Sequence, residues 1–186
     1  VPETWEADRL SAYAFGADGT LRRDTDLMIG RAPVDGTLVE HDGRWWLFAC
    51  DRHDDDTTNL HLFHATHWRG PFLPHPLNPV KIDVRSSRPA GALVVADGQL
   101  YRPAQDCARR YGNAVAINRI VELDQERFRE ELHCVLRPGP DGPFPDGLHT
   151  INGIGKLTVI DGQKLSLEPL AAMAERGVDT AVMEVS

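Results

Sequence analysis

Aromatic residues make up only 7% of the 186-residue sequence, and cysteine occurs three times. No apolar run approaches the roughly 18 residues that a membrane-spanning helix needs. Basic residues are scarce too: 20 Lys and Arg stand against 28 Asp and Glu, a formal charge of −8. That balance opposes a nucleic-acid or anionic-membrane partner and fits a cationic or neutral polar ligand. Cys50, Cys107 and Cys134 are odd in number, widely spaced and without a Cys-x-x-Cys pair. They write neither a disulfide framework nor a zinc knuckle, and three reduced thiols in a cytoplasmic chain are the expectation. A phosphate-cradling Gly loop, a Gly-x-Ser-x-Gly elbow and a catalytic Cys/His pair are missing as well, which disfavours nucleotide chemistry and serine hydrolysis. The sequence opens Val1-Pro2-Glu3-Thr4-Trp5, with neither an initiator Met nor the basic-then-apolar order of a signal peptide. A processed or truncated chain is expected.

What the sequence does have is punctuation. Its 16 glycines and 13 prolines are spread along the chain, which calls for many short elements joined by turns. Runs of β-formers lie at 37–40, 44–50, 60–66, 92–96, 99–102, 114–120, 131–136 and 157–160, bounded by turn residues. Asp42-Gly43, Asp97-Gly98 and Asp161-Gly162 are hairpin signals. One helix is expected, over 169–177, where Pro169 opens an Ala-rich run that Gly177 stops.

Two stretches superpose at a fixed offset. Residues 35–51 lie over 90–106, with Gly36/Gly91, Leu38/Leu93, Val39/Val94, Asp42/Asp97, Gly43/Gly98, Ala49/Ala104 and Asp51/Asp106 identical and Trp46 facing Tyr101. A repeat of this length carrying three or four strands is the signature of a β-propeller blade. The expected fold is therefore all-β, a propeller with blades over 1–30 (incomplete), 31–80, 81–138 and 139–168. That makes about three blades, whereas closed propellers have about four to eight. Missing blades, or a second copy of the chain pairing through open strand edges, are the expected partners.

The start of the innermost strand of each blade would face the central funnel. The residues there are Asp35, Arg88, and His149 with Thr150, an acid, a guanidinium and an imidazole suited to a sugar or phosphate. The bland alternatives are a turn-capping Asp35, an Arg88 paired with Asp83, and a satisfied interior His149. Glu3, after Pro2, is a candidate general acid if an Asp faces it. Arg102, Gln105, Asp106, Tyr111 and Gly112 form a second polar cluster, read either as a ligand rim or as a network joining two blades. Asp51 and Asp106 are expected to fix turns. His61, His64 and His67 are spaced by three, so a strand cannot present all of them to one metal ion. The run Asp54 to Asp56 is expected to be a solvated hairpin loop with weak cation affinity at most.

The wording from Trp68 onward carries a resemblance. Trp68-Arg-Gly-Pro-Phe-Leu-Pro-His75-Pro-Leu-Asn78, then Asp83, Arg85, Ser87-Arg88-Pro-Ala-Gly91, Tyr101-Arg102-Pro-Ala-Gln105-Asp106, Tyr111-Gly112 and Glu130 resemble the N-terminal domain of plant glucosamine inositolphosphorylceramide transferases. Pro2-Glu3-Thr4, Asp35-Gly-Thr-Leu and Trp45-Trp46-Leu-Phe extend the resemblance toward the start. It implies a five-bladed propeller related in shape to family 43 glycoside hydrolases, which use two Asp and a Glu on the axis and in some cases hold calcium near an axial His. By that analogy Asp35 is an axial carboxylate and His149 an axial His, and the catalytic base is not assigned. Together with the strand positions and polar cluster above, Asp35 and Glu3 are the catalytic candidates, and Arg88, His149, Gln105, Arg102 and Tyr111 the substrate-binding ones. No cofactor is expected, with calcium the one ion the resemblance brings in. Two functions follow: a carbohydrate-active or carbohydrate-binding propeller, or a non-catalytic module beside a glycosyl- or formyltransferase domain.

Overall fold

The computed structural model describes residues 5–139, 141, 145–154 and 157–161. Glu3 and the helix expected over 169–177 lie outside the described residues. The described chain is all-β. After one short 3-10 turn, Trp5–Ala7, it folds into thirteen strands: β1 (Arg9–Phe15), β2 (Leu21–Ile29), β3 (Pro33–His41), β4 (Arg44–Asp51), β5 (Asn59–Ala65), β6 (Leu73–Pro74), β7 (Lys81–Ile82), β8 (Val94–Ala96), β9 (Gln99–Asp106), β10 (Ala114–Leu123), β11 (Phe128–Leu136), β12 (Thr150–Ile154) and β13 (Leu157–Asp161). They form four antiparallel sheets: β1-β2, β3-β4-β5-β6 with β7 added on β5, β8-β9-β10-β11, and β12-β13. Among the described residues no sheet closes on itself, and no helix is long and apolar enough to cross a membrane.

The internal repeat is visible in the ladders. Val39 pairs with Trp46, Glu40 with Trp45 and His41 with Arg44 in the second sheet, while Val94 pairs with Tyr101, Val95 with Leu100 and Ala96 with Gln99 in the third. These are the same register positions 55 residues apart. Both hairpins turn on an Asp-Gly pair with positive φ, 50° and 70° at Asp42 and Gly43, 50° and 72° at Asp97 and Gly98. Two consecutive left-handed residues make a turn whose twist matches that of the flanking strands, and Asp-Gly supplies them at low steric cost. The terminal aspartates agree as well. Asp51 accepts the His53 N–H at 3.0 Å and Asp106 accepts the Ala108 N–H at 3.0 Å.

Strand alternation explains the core. Along β4 and β5 the side chains Trp46, Phe48, Leu60 and Leu62 point one way and pack with Leu100 and Ile120 of the third sheet. Their neighbours Leu47 and Phe63 point the other way, against Leu10, Ala12 and Leu27 of the first sheet. The second sheet is therefore covered on both faces, which is why the run 45–50 is almost continuously apolar. β2 has no such demand. Its charged residues Arg22, Arg23 and Asp24 alternate on an exposed hairpin, so the apolar pattern that marks a strand is absent there.

Candidate functional site

Asp35, Arg88, Gln105, Tyr111 and His149 come together although they span 115 positions of the sequence. Asp35 sits where the β3–β4 ladder breaks between Val34 and Thr37, and it takes a left-handed φ of 50°. An extra residue at such a bulge re-aims the side chain out of the alternation. Arg88 lies between β7 and β8, and its Nε donates to Asp35 Oδ2 at 2.5 Å. Gln105, at the end of β9, donates through Nε2 to the same oxygen at 3.1 Å and to the Pro89 carbonyl at 3.2 Å. Arg88 Nη1 also lies 3.4 Å from Asp56 Oδ2, and the guanidinium stands 4.9 Å from the centre of the Tyr111 ring. Tyr111 in turn meets His149, with ring centres 5.5 Å apart.

Glycines permit this approach. Gly112, at φ 62°, has no room for a Cβ, which would fall 2.8 Å from His149 Cβ. At Gly91 the fit is tighter: a Cβ would lie 2.1 Å from the Ile151 carbonyl oxygen. The fourth sheet is pinned there by Ile151 N–H to Ala90 O and by Ala92 N–H to Asn152 Oδ1, both at 2.8 Å. The start of β3, the segment leading into β8 and the start of β12 thus meet at one place.

Electrostatics keep the cluster charged. Burial alone would disfavour the Arg88 cation, but Asp35, by charge and by hydrogen bond, outweighs it with help from Tyr111 and Asp56, and the pKa is raised. The arrangement offers a carboxylate acceptor, a guanidinium donor and a half-exposed aromatic face, 41% accessible at Tyr111, while the buried Gln105 amide spends its two N–H groups on Asp35 and Pro89 and holds Asp35 in place. Such a set recognises a polar, ring-shaped ligand rather than an apolar one.

Other expectations fall differently. Arg88 does not pair with Asp83; it bridges to Asp35 and Asp56 of the second sheet. Asp56 was expected in a solvated loop, yet its carboxylate turns inward to Arg88, a placement with no sequence signal beyond the charge itself. Asp55 caps that loop by accepting the Thr57 and Thr58 N–H groups. Arg102 is away from the cluster and buried, giving four of its donor contacts to Glu130 Oε1 and Oε2 and to the Ser86 and Ser87 carbonyls. It belongs to a network joining two sheets. His61 contacts Asp54 at 2.9 Å and His64 leans on Trp46, where burial and the nearby Arg44 push its pKa down. Among the described residues no three His, Cys, Asp or Glu side chains gather in a metal-holding group. Calcium does not fit the cluster either, since Asp35 and Asp56 both face a guanidinium.

The family model described as "Glucosamine inositolphosphorylceramide transferase 1, N-terminal" matches residues 1–141. The chain belongs to this family. Asp35, Asp56, Arg88, Gln105 and Tyr111 lie inside the matched stretch, and His149 lies beyond it. "Glucosamine inositolphosphorylceramide transferase 1" of Oryza sativa subsp. japonica is 35% identical over 138 residues, 70% of this chain and 18% of that protein. The protein of the same name from Arabidopsis thaliana is 31% identical over 136 residues, again 70% of this chain and 18% of its own length. The chain therefore spans under a fifth of the curated relatives it matches. No solved structure matches it.

Proposed function

We propose that this chain is a carbohydrate-recognising domain of β-propeller type, working beside a glycosyltransferase, and that it takes a sugar or sugar phosphate at the Asp35–Arg88–Gln105–Tyr111–His149 cluster. The observation that carries the reading is the convergence of Arg88 and Gln105 on Asp35, with the Arg88 guanidinium against the Tyr111 ring, where three sheets meet. A carboxylate and a guanidinium, with the carboxylate held by the buried Gln105 amide, match the donors and acceptors of vicinal hydroxyls, and the ring gives the sugar's C–H face a surface to lie on. The propeller reading is supported by antiparallel meanders that follow one another in sequence and stack face to face, with the first strands converging. The four sheets follow the segments 1–30, 31–80, 81–138 and 139–168 taken as blades, except that β7, at 81–82, is added to the second sheet across the boundary. The transferase association is supported by the family and by the printed names of the rice and Arabidopsis relatives.

Recognition is favoured over hydrolysis by the cluster's own chemistry. A glycosidase needs a carboxylic acid and a separate carboxylate flanking the bond to be cut. Here Arg88 holds both Asp35 and Asp56, which leaves neither of them free for that work. The test is a glycan-array screen of the chain followed by calorimetry on the best ligand. Wild type should bind; Tyr111→Ala should weaken binding by about tenfold or more, the size of one stacking contact, and Gln105→Ala should weaken it similarly by releasing Asp35 from its hold. Nitrophenyl glycosides should stay uncleaved. A folded chain that binds no glycan, or that binds one equally well without Tyr111 and Gln105, overturns the reading.

A further inference from the structure

A cleft of about 930 Å³ opens between the second and third sheets, away from the Asp35–Arg88 cluster, lined among others by Lys81, Arg85, Ser86, Arg109, Asn113 and Arg137. We propose that this cleft is a second binding site, for a phosphate group carried on a sugar-sized or lipid-headgroup-sized molecule.

The floor is a buried ion-pair network. Glu130, buried beneath it, pairs with Arg102 at 2.6 Å and with Lys81 at 2.7 Å, and Lys81 also reaches Asn118 Oδ1 at 3.4 Å. The walls are not balanced. The side chains of Arg109 and Arg137 make no ion pair or hydrogen bond with any described residue, and both are exposed. Arg85 is exposed too; its guanidinium has only a longer-range attraction to Asp83. The two aspartates of the lining are occupied by their own loops: Asp83 accepts Ser86 Oγ at 2.7 Å and the Arg85 N–H at 3.0 Å, and Asp106 accepts the Ala108 N–H. Four basic side chains therefore face two aspartates in a chain whose formal charge is −8. A basic concavity on an acidic protein concentrates the field where low-dielectric walls enclose it.

The donor set selects phosphate over carboxylate. Three guanidinium forks on different loops can each give two parallel N–H bonds, and a tetrahedral phosphate has oxygens enough to accept them, whereas a carboxylate saturates with one or two. Ser86 and Asn113 add neutral hydrogen-bonding groups at the rim for hydroxyls on the ligand. The volume is that of a pocket for a small molecule rather than for a single ion.

The experiment measures binding of inorganic phosphate and glucose 1-phosphate to the chain by calorimetry at low and high salt, and flotation with vesicles of equal parts phosphatidylcholine and phosphatidylglycerol. Binding in either arm should fall by about tenfold in Arg109→Gln and in Arg137→Gln, since each removes a charge-assisted contact. Arg119→Gln, an exposed arginine paired elsewhere with Glu131, should leave it unchanged. Loss in the soluble arm identifies a free phosphate ester as the source, and loss confined to the vesicle arm identifies a headgroup. No binding in either arm, or binding that Arg109→Gln and Arg137→Gln both leave intact, overturns the proposal. Tyr111→Ala tests the sugar site separately, so either site can fail alone.

Discussion

The Glu130 carboxylate stands at the seam of the second and third sheets, and Glu130→Gln is the most informative single change to the fold. Its Oε1 takes Arg102 Nη2 at 2.6 Å and Lys81 Nζ at 2.7 Å, and its Oε2 takes Arg102 Nε at 2.8 Å. The side chains of Glu130 and Arg102 are 3% and 1% exposed, so neither can turn to water. The amide keeps the shape but removes the charge and points an N–H at a cation. Breaking a buried pair this way costs about 3–5 kcal/mol. Lys81, 20% exposed, can swing outward and relieve part of the loss. The lower end, about 3 kcal/mol, is therefore expected, which lowers Tm by about 6–12 °C for a chain of this size. The pH dependence adds a second reading. Burial would raise the Glu130 pKa, but Arg102 and Lys81 more than reverse it and hold it below its ordinary 4.5. A carboxyl depressed on folding supplies its stability in full above the unfolded value and loses it as pH falls through the lower folded value. The gap in Tm between wild type and Glu130→Gln should accordingly narrow in acid. Replacing the pair together, as Arg102→Met with Glu130→Leu, should recover only part of the loss, because the Ser86 and Ser87 carbonyls then lose their Arg102 donors. Calorimetry of the three proteins is the assay. A Glu130→Gln protein within about 2 °C of wild type at neutral pH, or a gap that does not narrow in acid, would refute the account.

Two further outcomes follow from burial and backbone geometry. Of the three free thiols, Cys134 is exposed, Cys107 half-buried and Cys50 buried, and burial raises the pKa of both Cys50 and Cys107; iodoacetamide should label Cys134 first, Cys107 slowly and Cys50 only on unfolding, as mass spectrometry of the native protein will show. Gly98→Ala meets open space at φ 72° and should cost about 1 kcal/mol in thermal unfolding, the strain of a left-handed alanine. Gly91→Ala drives a Cβ into the Ile151 carbonyl, so it should cost more than Gly98→Ala and speed hydrogen exchange at the Ile151 amide that bonds to Ala90.

Much of the fold was legible because the sheets obey simple periodicities. The Asp-Gly turns, the runs 44–50 and 114–120, and the register of the repeat all follow from φ requirements and from alternation on covered faces. β2 escaped because an exposed hairpin strand needs no apolar alternation, and a run such as Arg22-Arg23-Asp24 reads as loop. In the site, position at the start of an inner strand brought Asp35, Arg88 and His149 forward as candidates. Asp56 had no such handle. Its approach to Arg88 depends on how the β4–β5 loop folds back, which three consecutive aspartates do not specify, since Asp54 meets His61, Asp55 caps the turn and only Asp56 points inward.

Arg102 and Gln105 stand in one polar stretch of the sequence and go to different places in the fold. Both are on β9 and both are polar, and the cluster Arg102-Pro-Ala-Gln105-Asp106 invites treating them as one rim. Residues three apart on a strand point to opposite faces, the same constraint that forbids His61 and His64 from sharing a metal. Arg102 shares its face with Leu100 and Ala104, the face packed on the second sheet, where a guanidinium survives only with a carboxylate partner, and Glu130 provides it. Gln105 takes the opposite parity at the end of the strand, where Arg88 O accepts its backbone N–H at 2.8 Å and its amide reaches Asp35. One polar stretch is thereby divided between a structural ion pair and the candidate site. The division predicts that Arg102 variants will fail in stability and Gln105 variants in ligand affinity.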